Sequence, residues 1–551
     1  MPNSNQKSDD EIFQESIKFH QFGRLNDAKR GFEYLITRHP NSSDLLNSLG
    51  TLNLQLGNDD KGCSLLKKSL DINPNQPIIS FNLANSYESQ KNYSKALKFF
   101  NMTLSKSPNY LEAYKRKGDL LTNLKNHQEA LNCYEKAIKL EPEDKSILNG
   151  IGVNQLELGD ANNALESFRK CINIDNTIAI FYNNAGLAEY RMNAFHKSIK
   201  SFNEAIKLSP TSGYFYSNRG LSYQALKKFE LAIGDFNKSI SLDQNYPDAY
   251  WNKALINLYQ GNYNEGWKLY EYRWKSFAKK WVRSYSEKLW LGEESLKNKI
   301  IFIYPEQGHG DFIHCYRYIS LVKNLKPKKI ILEVTEPFFK LISIQDKDIK
   351  VVHPKKGMPK FDFYCPIMSL PYAFKTNISN IPSKTPYLLL NSLKRIKNKL
   401  NNNYKFKVGI CWAGNPLHKN DHNRSMKIDD MIALFSLPFE FHSLQKEINL
   451  VNQKKLSKYK IIDHCKRLNN FYDSAILINQ MDVIISVDTV VAHLSGALGK
   501  KTFLLLPNKS SFLWMDKRSD SPWYPTIKIF RQKTLGDWET PLQKIIKELK
   551  S

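Results

Sequence analysis

Asp488 and Thr489 stand at the end of a β-branched run, Val483 to Val487, and open a short helical stretch that Gly499 stops. A second apolar run, Thr502 to Leu506, follows. Strand, turn, helix and strand in this order aim the free N–H groups and positive dipole end of the helix at one point. Such a point accepts an anion, and a diphosphate suits it. The plainer reading is a βαβ unit in which Asp488 is an ordinary helix cap. Two other loops gather polar groups directly after apolar runs. Val408 to Trp412 leads into Asn415, His418, Lys419, Asn420, His422, Asn423 and Arg424, a density that an idle surface loop does not need. Ile300 to Tyr304 leads into PEQGHGD, where Gly308 and Gly310 bracket His309 and Asp311 stands at a helix start. Glycines there let backbone approach a ligand closely.

The elements that must hold these loops alternate between strands and helices. Residues 281–298 read as a helical connector. Strands are expected at Ile300 to Tyr304, Lys329 to Val334 and Ile349 to Val352, with a helical run from Phe312 to Val322. Lys394 to Lys407 reads as a polar hinge. A second set of strands is expected at Val408 to Trp412, Phe439 to Leu444, Lys460 to Ile462, Val483 to Val487 and Thr502 to Leu506. This alternation implies two doubly wound α/β lobes with a ligand cleft between them. A last helix, Trp538 to Leu549, has room to cross back onto the first lobe.

The N-terminal half is periodic. Pro40, Pro74, Pro108 and Pro142 are spaced by 34 residues, and Pro210 lies two periods further on. Small residues recur in phase at Gly50, Ala84, Gly118, Gly152, Gly186, Gly220 and Ala254, and again twelve residues later in each copy. Small residues let two helices of a hairpin cross closely, and proline breaks the chain after the second helix. The pattern resembles the tetratricopeptide repeat, in eight copies over residues 9–280 with a degenerate last one. That resemblance implies an α superhelix whose groove takes a peptide or protein. Asn47, Asn82, Asn149, Asn183, Asn184, Asn218 and Asn252 recur in the first helices. Such a ladder can hold a peptide backbone, although a chain this rich in asparagine would show many of them anyway.

A chain of 551 residues exceeds one core and implies several domains. No apolar run is long enough to span a bilayer, and the polar opening MPNSNQKSDDEIFQ does not read as a secretory signal. Seven scattered cysteines without a CxxC pair fit a reducing cytosol and no structural zinc. The net charge of +26 admits nucleic acid, an anionic membrane or anionic ligands. Its clusters (Lys326, Lys328, Lys329; Lys355, Lys356; Lys394, Arg395, Lys397, Lys399) are short and not interleaved with aromatics, which favours solvated surface over a nucleic-acid groove.

The segments EQGHGD, VGICWAGNPLHKNDHNRS, HSLQK, SVDTVVAHLSGALGKKTFLLLP and SPWYP resemble the glycosyltransferase family 9 domain of the heptosyltransferase type. They are more similar still to bacterial proteins that join tetratricopeptide repeats to such a domain. The resemblance implies a GT-B fold of two Rossmann-like lobes. The acceptor lobe would span residues 281–400. The nucleotide-sugar donor lobe would span 401–551 and end in a crossover helix. It implies inversion at the anomeric carbon with no cofactor and no metal. By the GD motif Asp311 is the candidate base, with Glu306 and His309 behind it; the plainer role of Asp311 is a helix cap. Arg424 and Lys419 would meet the charge of the departing diphosphate, with Asn415 as a donor. Asp488, Thr489 and the N–H groups of Val490 and Val491 would hold phosphates or sugar; His493, one turn into the helix, would reach the phosphate or simply line the wall between the lobes. Ser443 and Gln445 would hold base or ribose. The family usually carries glycine where this chain has Val490. Asp346-Lys347-Asp348 matches a metal-binding DxD by letter only, far from the donor motifs.

The leading expectation is therefore a glycosyltransferase acting on a protein or glycan recruited by the repeats. The alternative is a non-catalytic scaffold with a decayed transferase site. The setting is read as cytoplasmic, with a peripheral place at the inner membrane face as an option. Repeat arrays often pair, so a homodimer is also open.

Overall fold

The computed structural model describes residues 7–306, 308–354, 357, 359–390, 405–416, 420–508 and 510–551. Lys419, Lys355, Lys356, the 394–399 cluster and most of the expected hinge lie outside the described residues. The chain divides into two compact units, Met1–Ser222 and Tyr223–Ser551.

Sixteen helices run in pairs from Asp9–Gln21 to Tyr263–Tyr270. The small positions act as the periodicity requires. A Cβ on Gly118 would lie 2.8 Å from the Tyr134 ring, one on Gly152 2.6 Å from Phe168, and one on Gly186 2.7 Å from Phe202. In each case the large residue stands sixteen positions later, on the second helix, and fills the space the glycine leaves. Each hairpin turns on a left-handed residue: Gly23, Gly57, Lys91, Lys125, Gly159, Asn193, Lys227 and Gly261 all have positive φ.

Four of the seven asparagines of the ladder bond one another. Asn218 donates to Asn183 at 2.8 Å, Asn183 to Asn184 at 3.1 Å, and Asn184 to Asn149 at 2.9 Å. Asn183 is fully buried. These amides join successive repeats and satisfy one another, so they are not a row presented to a peptide backbone.

Among the described residues the second unit holds two parallel sheets. The first holds β1 (Lys288–Leu289), β2 (Ile300–Tyr304), β3 (Lys329–Glu333), β4 (Ile349–Val352) and β5 (Phe363–Pro366), in the order β1-β5-β2-β3-β4. The second holds β6 (Lys407–Cys411), β7 (Glu440–Ser443), β8 (Ile462–Asp463), β9 (Val483–Val487), β10 (Thr502–Leu506) and β11 (Ile527–Arg531), in the order β11-β10-β9-β6-β7-β8. Both are doubly wound, with the winding reversing between β2 and β5 and between β6 and β9.

Three expectations change. The connector is not helical: after the short 3-10 turn Phe277–Trp281 the chain runs extended into β1, and the Trp290 N–H donates to the Tyr364 carbonyl at 2.8 Å. The final helix, Glu539–Lys550, does not cross back. Its Leu542, Ile545 and Ile546 pack among Val408, Ile485, Phe503 and Phe530 on the second sheet. The helix has one strong apolar face, and this sheet face is the apolar surface nearest in sequence. Finally, packing does not divide the chain at residue 280. Ala254, Leu258, Tyr263, Trp267 and Tyr270 of the last repeat lie in one buried cluster with Trp290, Ile301, Leu504 and Trp523.

Among the described residues no helix is long and apolar enough to cross a membrane. All seven cysteines are free thiols.

Candidate functional site

At a switch point, neighbouring strands send their chains to opposite sides and leave a crevice at their carboxyl ends. Between β6 and β9 that crevice is bordered by Ala413 to Asn415 and by Asp488 and Thr489. Thr489 is the N-cap of the helix Val490–Ala497, with extended backbone at φ −138° and ψ 172°. Asp488 is not the cap. Its carboxylate accepts from the Trp514 indole N–H at 2.9 Å and lies 4.0 Å from His493 Nε2. Burial raises its pKa, against the Trp514 N–H and the charges of Arg424 and Arg531. A carboxyl group held this way suits a ligand hydroxyl better than a phosphate, which it would repel when ionised.

Arg424 ends the one-turn helix Asp421–Arg424 and ties this loop segment to the end of β9. Its Nε donates to Asp421 at 3.2 Å and its Nη1 to the Asp488 carbonyl at 3.3 Å. Gly414 makes this possible, because a Cβ there would lie 2.5 Å from Arg424 Nη2. The Gly414 N–H donates to Ser425 Oγ at 2.9 Å, and Ser425 Oγ donates to Asp421 at 2.8 Å. Gln445 Oε1 accepts from the Ala413 N–H at 3.3 Å.

The first sheet supplies the opposite border through the helix His309–Tyr316. Asp311 accepts from the Gly308 N–H at 3.1 Å and is half-buried. Burial pushes its carboxyl up to about 7, helped by the charges of Asp488 and Glu306 and opposed by the Gly308 N–H and Arg424. A carboxylate with this pKa can take up a proton near neutral pH. His309 sits edge-on to Phe338 and Phe471, with ring centroids 5.3 and 5.1 Å away. Gly310 has a different task from approaching a ligand: a Cβ there would lie 2.7 Å from the His493 ring. His493 Nδ1 is 3.0 Å from the Tyr524 hydroxyl, and its ring stacks on Trp514 at 5.2 Å. Burial, aided by the Arg317 charge, pushes its imidazole down to about 3, so the ring is neutral.

A cavity of about 1200 Å³ gathers these groups. Asp311, His309, Asn415, Arg424, Gln445, Asp488, Thr489, Val490 and His493 line it. Lys419 lies outside the described residues. Two expected residues do not line it. Ser443 is fully buried, and its Oγ accepts from the Gln445 N–H at 3.3 Å. Glu306 cannot serve as a reserve base, because it is buried in a two-point ion pair with Arg273, at 2.7 and 2.9 Å, and accepts from the Met368 N–H at 3.0 Å. The DxD letters are also accounted for: Asp346 and Asp348 both pair with Lys323, at 2.6 and 2.9 Å.

Sequence reasoning missed Trp514 and Tyr524, which fix Asp488 and His493, and the wall supplied by Lys227, Phe229, Leu255 and Tyr259 of the last repeats. Of these only Tyr524 stood in a motif, SPWYP, and nothing there indicated its contact.

Family models described as tetratricopeptide repeat match residues 80–110, 111–144, 146–178, 179–212 and 213–246. No curated protein matches. Solved structures similar to the chain include a tetratricopeptide repeat protein from Parabacteroides merdae ATCC 43184, 21% identical, covering 45% of this chain and 98% of its own, with TM-score 0.34. YrrB, described as a TPR protein with an unusual peptide-binding site, is 19% identical and covers 34% of this chain and 98% of its own, with TM-score 0.30. MamA from Desulfovibrio magneticus RS-1 is 20% identical and covers 31% and 96%, with TM-score 0.30. The sixteen-helix N-terminal segment of the chain is a tetratricopeptide-repeat array, a fold that supports protein–protein interaction.

Proposed function

We propose that the second unit is a glycosyltransferase of GT-B type, similar to family 9, moving a sugar from a nucleotide-sugar donor to an acceptor recruited by the repeats. The observation that carries this reading is the single cavity where Asp311, Arg424, Asp488, Thr489 and His493 converge. Asp311 takes the proton of an acceptor hydroxyl as its oxygen attacks the anomeric carbon from the face opposite the leaving group. The carbon–oxygen bond to the diphosphate breaks, and the nucleoside diphosphate departs with the electron pair. Arg424 and the N–H groups of Val490 and Val491 meet that charge, so the step needs no metal ion. Asp488 and neutral His493 hold sugar hydroxyls. The acceptor is a protein or a glycan.

The test is a thermal-shift screen of the full-length protein against ADP, GDP, UDP, CDP and dTDP, with and without magnesium. A ligand at 100 times its Kd adds about 2.7 kcal/mol of stability. A shift with one nucleotide, independent of magnesium, supports the donor site. Silence from all five favours the second reading, a repeat scaffold with a decayed site. Val490 in the place of the family's glycine, and the Trp514 contact that occupies Asp488, speak for that second reading.

A further inference from the structure

The segment Ser510 to Lys517 forms part of the cavity wall and carries Trp514 to Asp488. Its backbone is strained: Met515 and Lys517 both have positive φ, at 49° and 57°. Non-glycine residues persist in this region only when their surroundings hold them there. Here two sides hold the segment. From the sheet, Arg531 donates to the Trp514 and Met515 carbonyls at 3.2 and 2.8 Å. From the repeats, Lys227 pairs with Asp516 at 3.0 Å and the Tyr259 hydroxyl donates to the same oxygen at 3.3 Å. Phe512 sits edge-on to Trp267 and Tyr270, each 5.8 Å away.

We propose that Lys227 and Tyr259 are positioning residues of the cavity: by holding Asp516 they set the strained segment that presents Trp514 to Asp488 and His493. The terminal repeats thus act as a part of the site. The effect on ligand affinity rests on the reading of the cavity as a nucleotide site; the effect on the segment does not.

Lys227 occupies the left-handed turn position that Lys91 and Lys125 occupy in earlier repeats, and this supplies a control. Lys227→Gly removes the ammonium and keeps the turn; Lys125→Gly makes the same backbone change at a turn of the first unit. The readouts on the full-length protein are hydrogen exchange of residues 510–517 and the Kd of the nucleoside diphosphate found in the panel. Lys227→Gly and Asp516→Ala should each speed exchange there at least tenfold and weaken binding at least tenfold, with β9 unaffected. Lys227→Arg should retain both, and Lys125→Gly should change neither. Unchanged exchange in Lys227→Gly and Asp516→Ala overturns the proposal, as does faster exchange with an unchanged Kd. If the segment loosens while the wild type binds none of the five nucleotides, the nucleotide reading falls and the latch stands.

Discussion

Both sheets of the second unit reverse their winding in the same way, β2 against β5 and β6 against β9, yet their switch points end differently. Beyond β2 the chain fills its own crevice. Arg273, fully buried, donates to Glu306, to Glu271 at 2.6 Å and to Ser369 at 2.7 Å, and Glu306 accepts from the Met368 N–H. Beyond β9 the crevice is open and lined by side chains that meet a cavity. Topology therefore offers two sites, and the side chains close one and leave the other. The residue that closes the first comes from the turn that follows the last repeat, so the array ends in a structural ion pair.

Removing Arg273 is the most severe way to break this contrast. Burial works against its charge, and Glu271 and Glu306 outweigh that effect, holding its pKa above the usual value. Arg273→Ala leaves Glu306 buried and unpaired, a loss of about 3–5 kcal/mol. All nine tryptophans lie beyond residue 250, so urea unfolding followed by tryptophan fluorescence reads the second unit alone. Adding Glu306→Gln should recover part of the loss; no recovery would mean that the carboxylate is not the source.

Asp311 tests the open site. In the unfolded chain its carboxyl titrates near 3.8, and in the folded protein near 7. Between those values the folded state binds a proton that the unfolded state has released, so stability falls as pH rises through the window and is level above it. Asp311→Asn should remove this slope and make the protein more stable at pH 8 by on the order of 2 to 4 kcal/mol. If the protein acts as a transferase, the same substitution abolishes transfer. A melting temperature with the wild-type pH slope in Asp311→Asn would show that another group carries the titration.

The sequence revealed some parts of this molecule well. The array is legible because prolines and small residues recur at a fixed period, so one error cannot hide eight copies. β9 and β10 are legible because every residue in them is buried and apolar runs mark them. β5 and β11 are not: Phe363–Pro366 is only four residues long and ends in proline, and Ile527–Arg531 interrupts its apolar pattern with Lys528. In the site, residues in the loops that follow strands could be placed by position: Asp488 directly follows β9, and Arg424 lies in the loop segment after β6. What those residues touch could not. Glu306 pairs across 33 positions with Arg273, and Asp488 across 26 with Trp514. Such pairings follow from how the sheets pack, which no local spacing encodes. The final helix shows the same limit, since an apolar face announces burial without naming its partner.

Arg424 sharpens the contrast without unfolding anything. It is partly exposed and anchored by one carboxylate and one carbonyl. On the proposed reading Arg424→Ala weakens nucleoside diphosphate binding about tenfold or more, which corresponds to roughly 1.4 kcal/mol or above. Calorimetric titration of the nucleotide found in the panel measures it. An unchanged dissociation constant removes Arg424 from phosphate binding and leaves it as a tie between the loop after β6 and the end of β9.

The smallest effect is the most diagnostic of what the Lys227 side chain adds within the second unit. Lys125 and Lys227 occupy the same turn position in different repeats, with φ of 62° and 57°. A lysine in that conformation pays a steric cost that glycine avoids, so Lys125→Gly should stabilise the array by about 0.5–1 kcal/mol, net of the added chain entropy. Helical circular dichroism during thermal unfolding should register the gain, and tryptophan fluorescence should not. Lys227→Gly gains the same backbone relief but surrenders the bond to Asp516, so its effect on the second unit should be neutral or destabilising. If both substitutions stabilise their surroundings equally, the Lys227 ammonium contributes nothing, and the two positions differ only in where the chain happens to place them.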